Sequence, residues 1–362
     1  MENKLEIREF PIWSEAKAKR LPVSFELEVT ARCNNNCRHC YINLPANDHS
    51  AQKREMSFEE INESAAQAVS LGSMFCLITG GEPLLRPDFK EIYLALKRKG
   101  LLVSVFTNAT LVNEEHIALF KKYPPHNLEI TVYGVTPNTY ESVTQTPGSF
   151  NEFQRGLALL LENRIKVRLK TVAIQSNLRE QAQIAEFCQS RTKDYFRFDP
   201  KLQLRYDGDP IRNKEIRAER LTPEQIIELE NMNPKLISEL RKRYKLSHDK
   251  FDDKSDCLFN CGAGRIGFSI SYDGIFRLCS SLWIDGMIYD LRSGTLTDAW
   301  NNFAPHICDI RIQPEKFLNS CRECRLLHLC GWCPAIAHLE TGNPEESIPF
   351  FCAIAQARAN NL

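Results

Sequence analysis

Between residues 23 and 205, short runs of β-branched and apolar residues alternate with stretches whose apolar positions recur every three or four residues. The first kind of run reads as strand and the second as amphipathic helix. Six runs carry the strand pattern: 23–30 (VSFELEVT), 75–80 (FCLITG), 101–108 (LLVSVFTN), 128–134 (LEITVYG), 166–174 (KVRLKTVAI) and 195–205 (YFRFDPKLQLR). Helices between them have readable ends. Ser57 and Glu60 form a capping box for a helix over 57–71, and Gly100 stops one over 87–99.

Alternating strands and helices predict an α/β fold with a parallel sheet. A closed eight-unit barrel takes about 250 residues. Six units over 23–206 therefore predict a partial (β/α)6 TIM-like barrel, left open on one side where a large substrate enters. Residues 1–22 form an N-terminal extension. Residues 207–256 are dense in charge, and Thr222, Pro223 and Gln225 place a capped helix among them. This segment reads as a helical bridge whose charge run is a solvated face without a binding role.

From 257 to 362 the cysteine density rises: Cys257, Cys261, Cys279, Cys308, Cys321, Cys324, Cys330, Cys333 and Cys352. Long apolar runs are scarce there, so metal is expected to supply much of the stability. SYDG at 271–274 reads as the turn of a β-hairpin, with Gly274 taking a positive φ.

Charge narrows the function classes. Lys plus Arg equals Asp plus Glu at 46 each, so no net field draws the chain to nucleic acid or an anionic membrane. The charged N-terminus has no apolar signal core, and no run of about 18 apolar residues occurs. A cytoplasmic location follows, where thiols stay reduced. The 14 cysteines are then better read as ligands of metal or iron-sulfur clusters than as disulfides.

Cys33, Cys37 and Cys40 follow directly on the first strand, in a loop at the C-terminal mouth of the barrel, where such folds keep their chemistry. Three thiolates on a [4Fe-4S] cluster leave one iron without a protein ligand, a coordination site for a small molecule. The alternative is a zinc knuckle completed by a distant residue. The second strand ends in Gly80, Gly81, Glu82 and Pro83, where glycines allow close backbone approach to a ligand and the glutamate supplies an acceptor.

The C-x3-C-x2-C loop on one strand and GGEP on the next together resemble the radical S-adenosylmethionine (radical SAM) superfamily, with His39 at the aromatic position before the third cysteine. The resemblance implies that a reduced cluster splits S-adenosylmethionine (SAM) to a 5′-deoxyadenosyl radical that abstracts a substrate hydrogen. Cys33, Cys37 and Cys40 would ligate this cluster, Gly80, Gly81 and Glu82 would meet the SAM amino group, and Thr107 and Asn108 would lie near the ribose. Arg168 or Lys170 is a candidate for the SAM carboxylate. The fourth strand carries TVYG, residues 131–134, where relatives often show Ser-Ile-Asp-Gly.

The C-terminal spacings, C-x12-G-x4-C over 261–279 and C-x2-C-x5-C-x2-C over 321–333, allow a zinc ribbon. Their order resembles the SPASM domain, which carries two auxiliary [4Fe-4S] clusters. By that pattern Cys257, Cys261, Cys279 and Cys333 hold one, and Cys321, Cys324, Cys330 and Cys352 the other. Cys76, Cys188 and Cys308 are left as structural residues.

Relatives of this kind modify peptides or proteins by crosslinking, epimerisation or oxidation. The expected partners are therefore a peptide or protein substrate, a flavodoxin or ferredoxin as electron donor and, since only some 20 residues precede the first strand, either a separate leader-peptide-binding protein or a substrate without a leader. Sulfatase-maturing relatives carry an aspartate base after the third C-terminal cysteine. Ser280 stands there, which leaves Asp285 and Asp290 as candidate bases. Two other readings remain: a dehydrogenase or epimerase acting on a small molecule such as a sugar or aminoglycoside, and a zinc-stabilised binding protein without catalysis.

Overall fold

The computed structural model describes residues 12–192, 197–249, 257–312, 321 and 324–362. Outside them lie residues 1–11 of the expected extension, Tyr195 and Phe196 of the sixth strand, 250–256 of the bridge, and 313–320, 322 and 323 of the Cys-rich region.

Six parallel strands form in the expected order: β1 (Ser24–Thr30), β2 (Phe75–Gly80), β3 (Leu102–Thr107), β4 (Asn127–Thr131), β5 (Arg168–Val172) and β6 (Arg197–Asp199). β6 is shorter than expected. Pro200 follows Asp199 and has no amide hydrogen to continue a ladder. Period-two alternation divides each strand between two environments. On β1, Phe25, Leu27 and Val29 enter the main core with Ile61, Ala65 and Ala68 of the helix Phe58–Ser70, while Glu26 on the other face lines the barrel interior. Ser57 and Glu60 close the capping box of that helix, at 3.2 and 2.7 Å.

Six strands leave β1 with an unpaired edge, which costs hydrogen bonds unless another chain segment covers it. The expected hairpin does so. β7 (Gly267–Ile270) pairs parallel with β1, from Ser24 opposite Gly267 to Leu27 opposite Ile270. β8 (Ile275–Arg277) returns antiparallel to β7, and β9 (Tyr289–Asp290) adds to β8. The nine-stranded order is β9-β8-β7-β1-β2-β3-β4-β5-β6, so the hairpin of the Cys-rich region continues the barrel's own sheet. Gly274 turns it at φ 85°.

The bridge also differs from the solvated segment expected of it. It contains the helices Pro210–Ala218, Pro223–Asn231 and Pro234–Asp249, the second capped by Thr222 and Gln225. Leu221, Ile226, Leu229 and Leu240 share a second apolar core with Leu329, Phe351 and Ile354 of the C-terminal region. Within it Glu230 and Arg358 form a buried ion pair. Among the described residues no helix is long and apolar enough to cross a membrane.

A second buried pair ties the hairpin to the barrel. Arg277 is 0% exposed, its Nη2 lies 2.7 Å from Glu28 Oε2, and its Nη1 donates to Ser280 O at 2.7 Å. Burial raises the Glu28 carboxyl while Arg277 pulls it down. Removing one partner of such a pair leaves the other charge uncompensated, typically at about 3–5 kcal/mol. Arg277→Met is therefore expected to lower unfolding stability by that amount. Adding Glu28→Gln should recover part of it, and denaturant unfolding of the iron-free chain measures both.

Candidate functional site

The cysteine loop leaves β1 after Thr30, and distant parts of the chain fix its path. Asn36 N donates to Thr144 O at 2.8 Å and Arg38 N to Val143 O at 3.1 Å, which hang the loop on the end of the helix Pro137–Thr144. Cys40 N closes a turn onto Cys37 O at 3.1 Å. Two arginines complete the frame: Arg212 of the bridge donates from Nη2 to Cys37 O at 2.8 Å, and Arg205, at the end of the sixth strand run, from Nη1 to Asn43 O at 3.1 Å. Sequence reasoning missed both arginines. Arg212 lies within a charged run, the ordinary mark of a solvated surface, and Arg205 is the last residue of a strand run, where nothing marks a contact with the cysteine loop.

Gly80 and Gly81 lie in close contact with backbone. Gly80 sits at φ 127°, and a Cβ there would stand 2.1 Å from Thr30 O. On Gly81 a Cβ would stand 2.3 Å from Arg32 O. Gly81 N donates to Thr30 O at 2.7 Å and Glu82 N to Arg32 O at 2.9 Å, so the turn docks directly on the root of the cysteine loop. Both glycines still line the cavity above.

Glu82 lies beneath that cavity. It is 0% exposed, and its carboxylate accepts from Leu84 N (3.0 Å), Thr107 Oγ1 (2.8 Å) and Asn108 N (2.7 Å). Burial pushes the carboxyl up to about 7, with the three hydrogen bonds opposing. Glu82 thus locks the glycine turn to the end of β3. Asn108 Nδ2 in turn donates to Asn34 Oδ1 in the cysteine loop at 3.0 Å. Glu82→Ala would strand three buried donors, each costing about 1–3 kcal/mol. It is expected to lower unfolding stability by at least about 3 kcal/mol and to weaken SAM binding, read by calorimetry on the reconstituted protein.

These elements enclose a cavity of about 410 Å³ at the C-terminal ends of the strands. Cys33, Cys37 and Cys40 line it, together with His39, Gly80, Gly81, Thr107 and Asn108. So do Thr131 and Tyr133 from TVYG. Of the two basic candidates on β5, Lys170 lines the cavity, paired with Glu129 and 3.9 Å over the Phe106 ring; Arg168 is exposed outside it. The His39 ring meets that of Tyr133 at a tilt of 59° with centroids 5.2 Å apart, and burial with Arg212 nearby pushes its imidazole down to about 4. Both amide atoms of Asn35 and Nδ1 of His39 are buried with no hydrogen-bond partner. Buried polar atoms without partners are rare in finished structures. Beside three thiols in one cavity, they fit a site built around a further polar group.

The remaining cysteines fall into two neighbourhoods. Burial, then Cys333 and Cys261 nearby, push Cys279 up to about 12. Burial, then Cys352 and Cys321, push Cys330 up to about 11. Cys324 lies close enough to Cys352 to raise it, after burial. Cys257 accepts from Arg311 Nη1 at 3.2 Å. Cys308 is buried, its thiol 3.7 Å from Gly264 O, and Cys76 and Cys188 are each 1% exposed in the main core. Among the described residues no three His, Cys, Asp or Glu side chains converge as ligands of a single ion.

The candidate bases need correction. Asp285 and Asp290 are exposed and neither lines the cavity; Asp290 accepts from Arg292 N at 2.8 Å on the outermost strand. Ser280 does line the cavity. The carboxylates that reach it are Glu26 and Asp199.

Residues 27–188 match the model of the radical SAM superfamily. The AdoMet-dependent heme synthase of Methanosarcina barkeri is 29% identical over 153 residues, covering 42% of this chain and 43% of that one. That of Nitratidesulfovibrio vulgaris is 23% identical over 344 residues, covering 87% and 88%. The antilisterial bacteriocin subtilosin biosynthesis protein AlbA of Bacillus subtilis is 26% identical over 321 residues, covering 86% and 67%. Among solved structures, Streptococcus suis SuiB bound to its precursor peptide SuiA superimposes with a TM-score of 0.68 at 16% identity, covering 95% of this chain and 82% of that one. The expected partial barrel with a C-terminal extension is the fold this chain shares with SuiB.

Proposed function

From a chain whose residues 27–188 are a radical SAM domain, we propose a maturase that modifies a peptide or protein. Bound at Cys33, Cys37 and Cys40, a [4Fe-4S] cluster with SAM would supply a 5′-deoxyadenosyl radical for hydrogen abstraction. The observation that carries this reading is the single cavity reaching from the three cysteines, past the glycine turn and Thr107–Asn108, to Ser280 beside Cys279. One chamber thereby places the cysteine loop and the Cys-rich region around the same substrate.

The chain's own residues divide the work. Gly80 and Gly81 keep the wall at backbone level, and Glu82 holds that wall against β3 from below. Asn35 and His39 offer the unpartnered polar atoms for the cosubstrate. Lys170 presents an ammonium for a carboxylate, held upright by Glu129. Cys261, Cys279 and Cys333, with Cys257, would hold one auxiliary cluster, and Cys321, Cys324, Cys330 and Cys352 the other. A flavodoxin or ferredoxin would deliver the electron, and a separate protein would present the substrate's leader. The division into a barrel over 23–206, a bridge over 207–256 and a SPASM region over 257–362 belongs to the same proposal.

A second reading, a small-molecule substrate, is favoured by the full-length likeness to a heme synthase. One experiment separates the two. The reconstituted protein with SAM and dithionite is given either the peptide fraction or the small-molecule fraction of cells grown in heavy water. Deuterium in the released 5′-deoxyadenosine from the peptide fraction supports the maturase. Deuterium from the small-molecule fraction alone overturns it.

A further inference from the structure

Lys201, just past β6, is a half-buried cation with no described carboxylate in ion-pair contact. It lines the cavity, yet its Nζ is turned to the segment between Cys330 and Cys333, donating to Cys330 O at 3.4 Å. Gly331, at φ 69°, leaves room for it, since a Cβ there would stand 2.1 Å from Nζ. The ring of Phe351 closes the other side, 5.2 Å from Nζ. The same segment is gripped by Arg358, whose Nη1 donates to Leu329 O, but that guanidinium is neutralised by Glu230. No described carboxylate lies within ion-pair distance of Lys201; Asp199 Oδ1 instead accepts from the Lys201 backbone amide at 3.1 Å.

An ammonium held away from water without an anion is costly. A [4Fe-4S] core bound by four thiolates is a net anion, and the net charge around such a cluster is one of the terms that set its reduction potential. We propose that Lys201 is a positioning residue that compensates the charge of the auxiliary cluster assigned to Cys330 and raises its reduction potential. This rests on the auxiliary clusters of the maturase reading. It adds a residue outside the cysteine pattern, on the barrel side, that couples the cavity wall to the cluster region.

The test uses the full chain with Cys33, Cys37 and Cys40 replaced by alanine, so that only auxiliary clusters report. In that background Lys201→Met, Lys201→Gln and Lys201→Arg are reconstituted anaerobically, counted for iron and titrated with EPR detection. Both neutral variants are expected to be reduced less easily, by about tenfold in the equilibrium, or about 59 mV for one electron, and Lys201→Arg should stay near the parent. Loss of auxiliary iron in both neutral variants with retention in Lys201→Arg also supports charge compensation. Unchanged potentials in both neutral variants overturn the role of Lys201 while leaving the clusters in place. A parent with no auxiliary iron overturns the maturase reading's ligand sets, and with them this role.

Discussion

Replacing Cys33, Cys37 and Cys40 together by alanine is expected to abolish reductive cleavage of SAM, with 5′-deoxyadenosine falling to the level of a no-enzyme control. The three thiols line one cavity and no other cysteine does, so none stands ready to substitute. The loop itself should persist. Its path is set by backbone bonds to Val143 and Thr144 and by Arg212 and Arg205, which do not involve the thiols. Of the C-terminal cysteines, Cys261 and Cys333 lie near Cys279, and Cys321 and Cys352 near Cys330, and none of these lines the cavity of the three thiols. About two thirds of the iron should therefore remain, as two clusters of three. Loss of all iron would contradict this separation of ligands.

The second large effect is expected at the glycine turn. Gly80→Ala combines a φ of 127° with a Cβ that would meet Thr30 O at 2.1 Å, and Gly81→Ala drives a Cβ to 2.3 Å from Arg32 O. In both cases the obstacle is backbone, pinned by the hydrogen bonds Gly81 N to Thr30 O and Glu82 N to Arg32 O. Strain of this kind and overpacking cost about 1–3 kcal/mol each. Relief requires the turn to lift away from the cysteine loop, so SAM affinity should fall even where the protein still folds. Unfolding by denaturant and SAM binding by calorimetry check the two halves. Wild-type values in both variants would mean that the contact between turn and loop is not what the glycines serve.

Much of this architecture is legible in local sequence. Alternation in FELEV or LITG marks strands, and Ser57–Glu60 and Thr222–Gln225 mark helix starts, because both signals act over a few residues. The cysteine spacing and GGEP are legible for the same reason. What escapes is set by contacts across long separations. Pairing of β7 with β1 joins residues more than two hundred apart, and only the bare edge of β1 hints at it. Arg212 and Glu230 sit in a segment whose composition reads as solvent-facing and Arg205 ends the sixth strand run, yet the two arginines clamp the cysteine loop and Glu230 neutralises Arg358. Glu82 is legible as an acceptor, but its donors come from its own turn and from β3, so its place beneath the cavity emerges only with the sheet. Asp285 and Asp290 follow Cys279 closely in sequence, yet both are exposed and neither lines the cavity. Proximity along the chain is a poor guide where a strand reverses.

The most direct measurement is the release of 5′-deoxyadenosine by the anaerobically reconstituted full chain, given SAM and dithionite. Release that depends on the reductant and vanishes in the variant lacking Cys33, Cys37 and Cys40 is the predicted result. An iron-loaded chain that neither binds SAM nor releases the nucleoside would contradict the account.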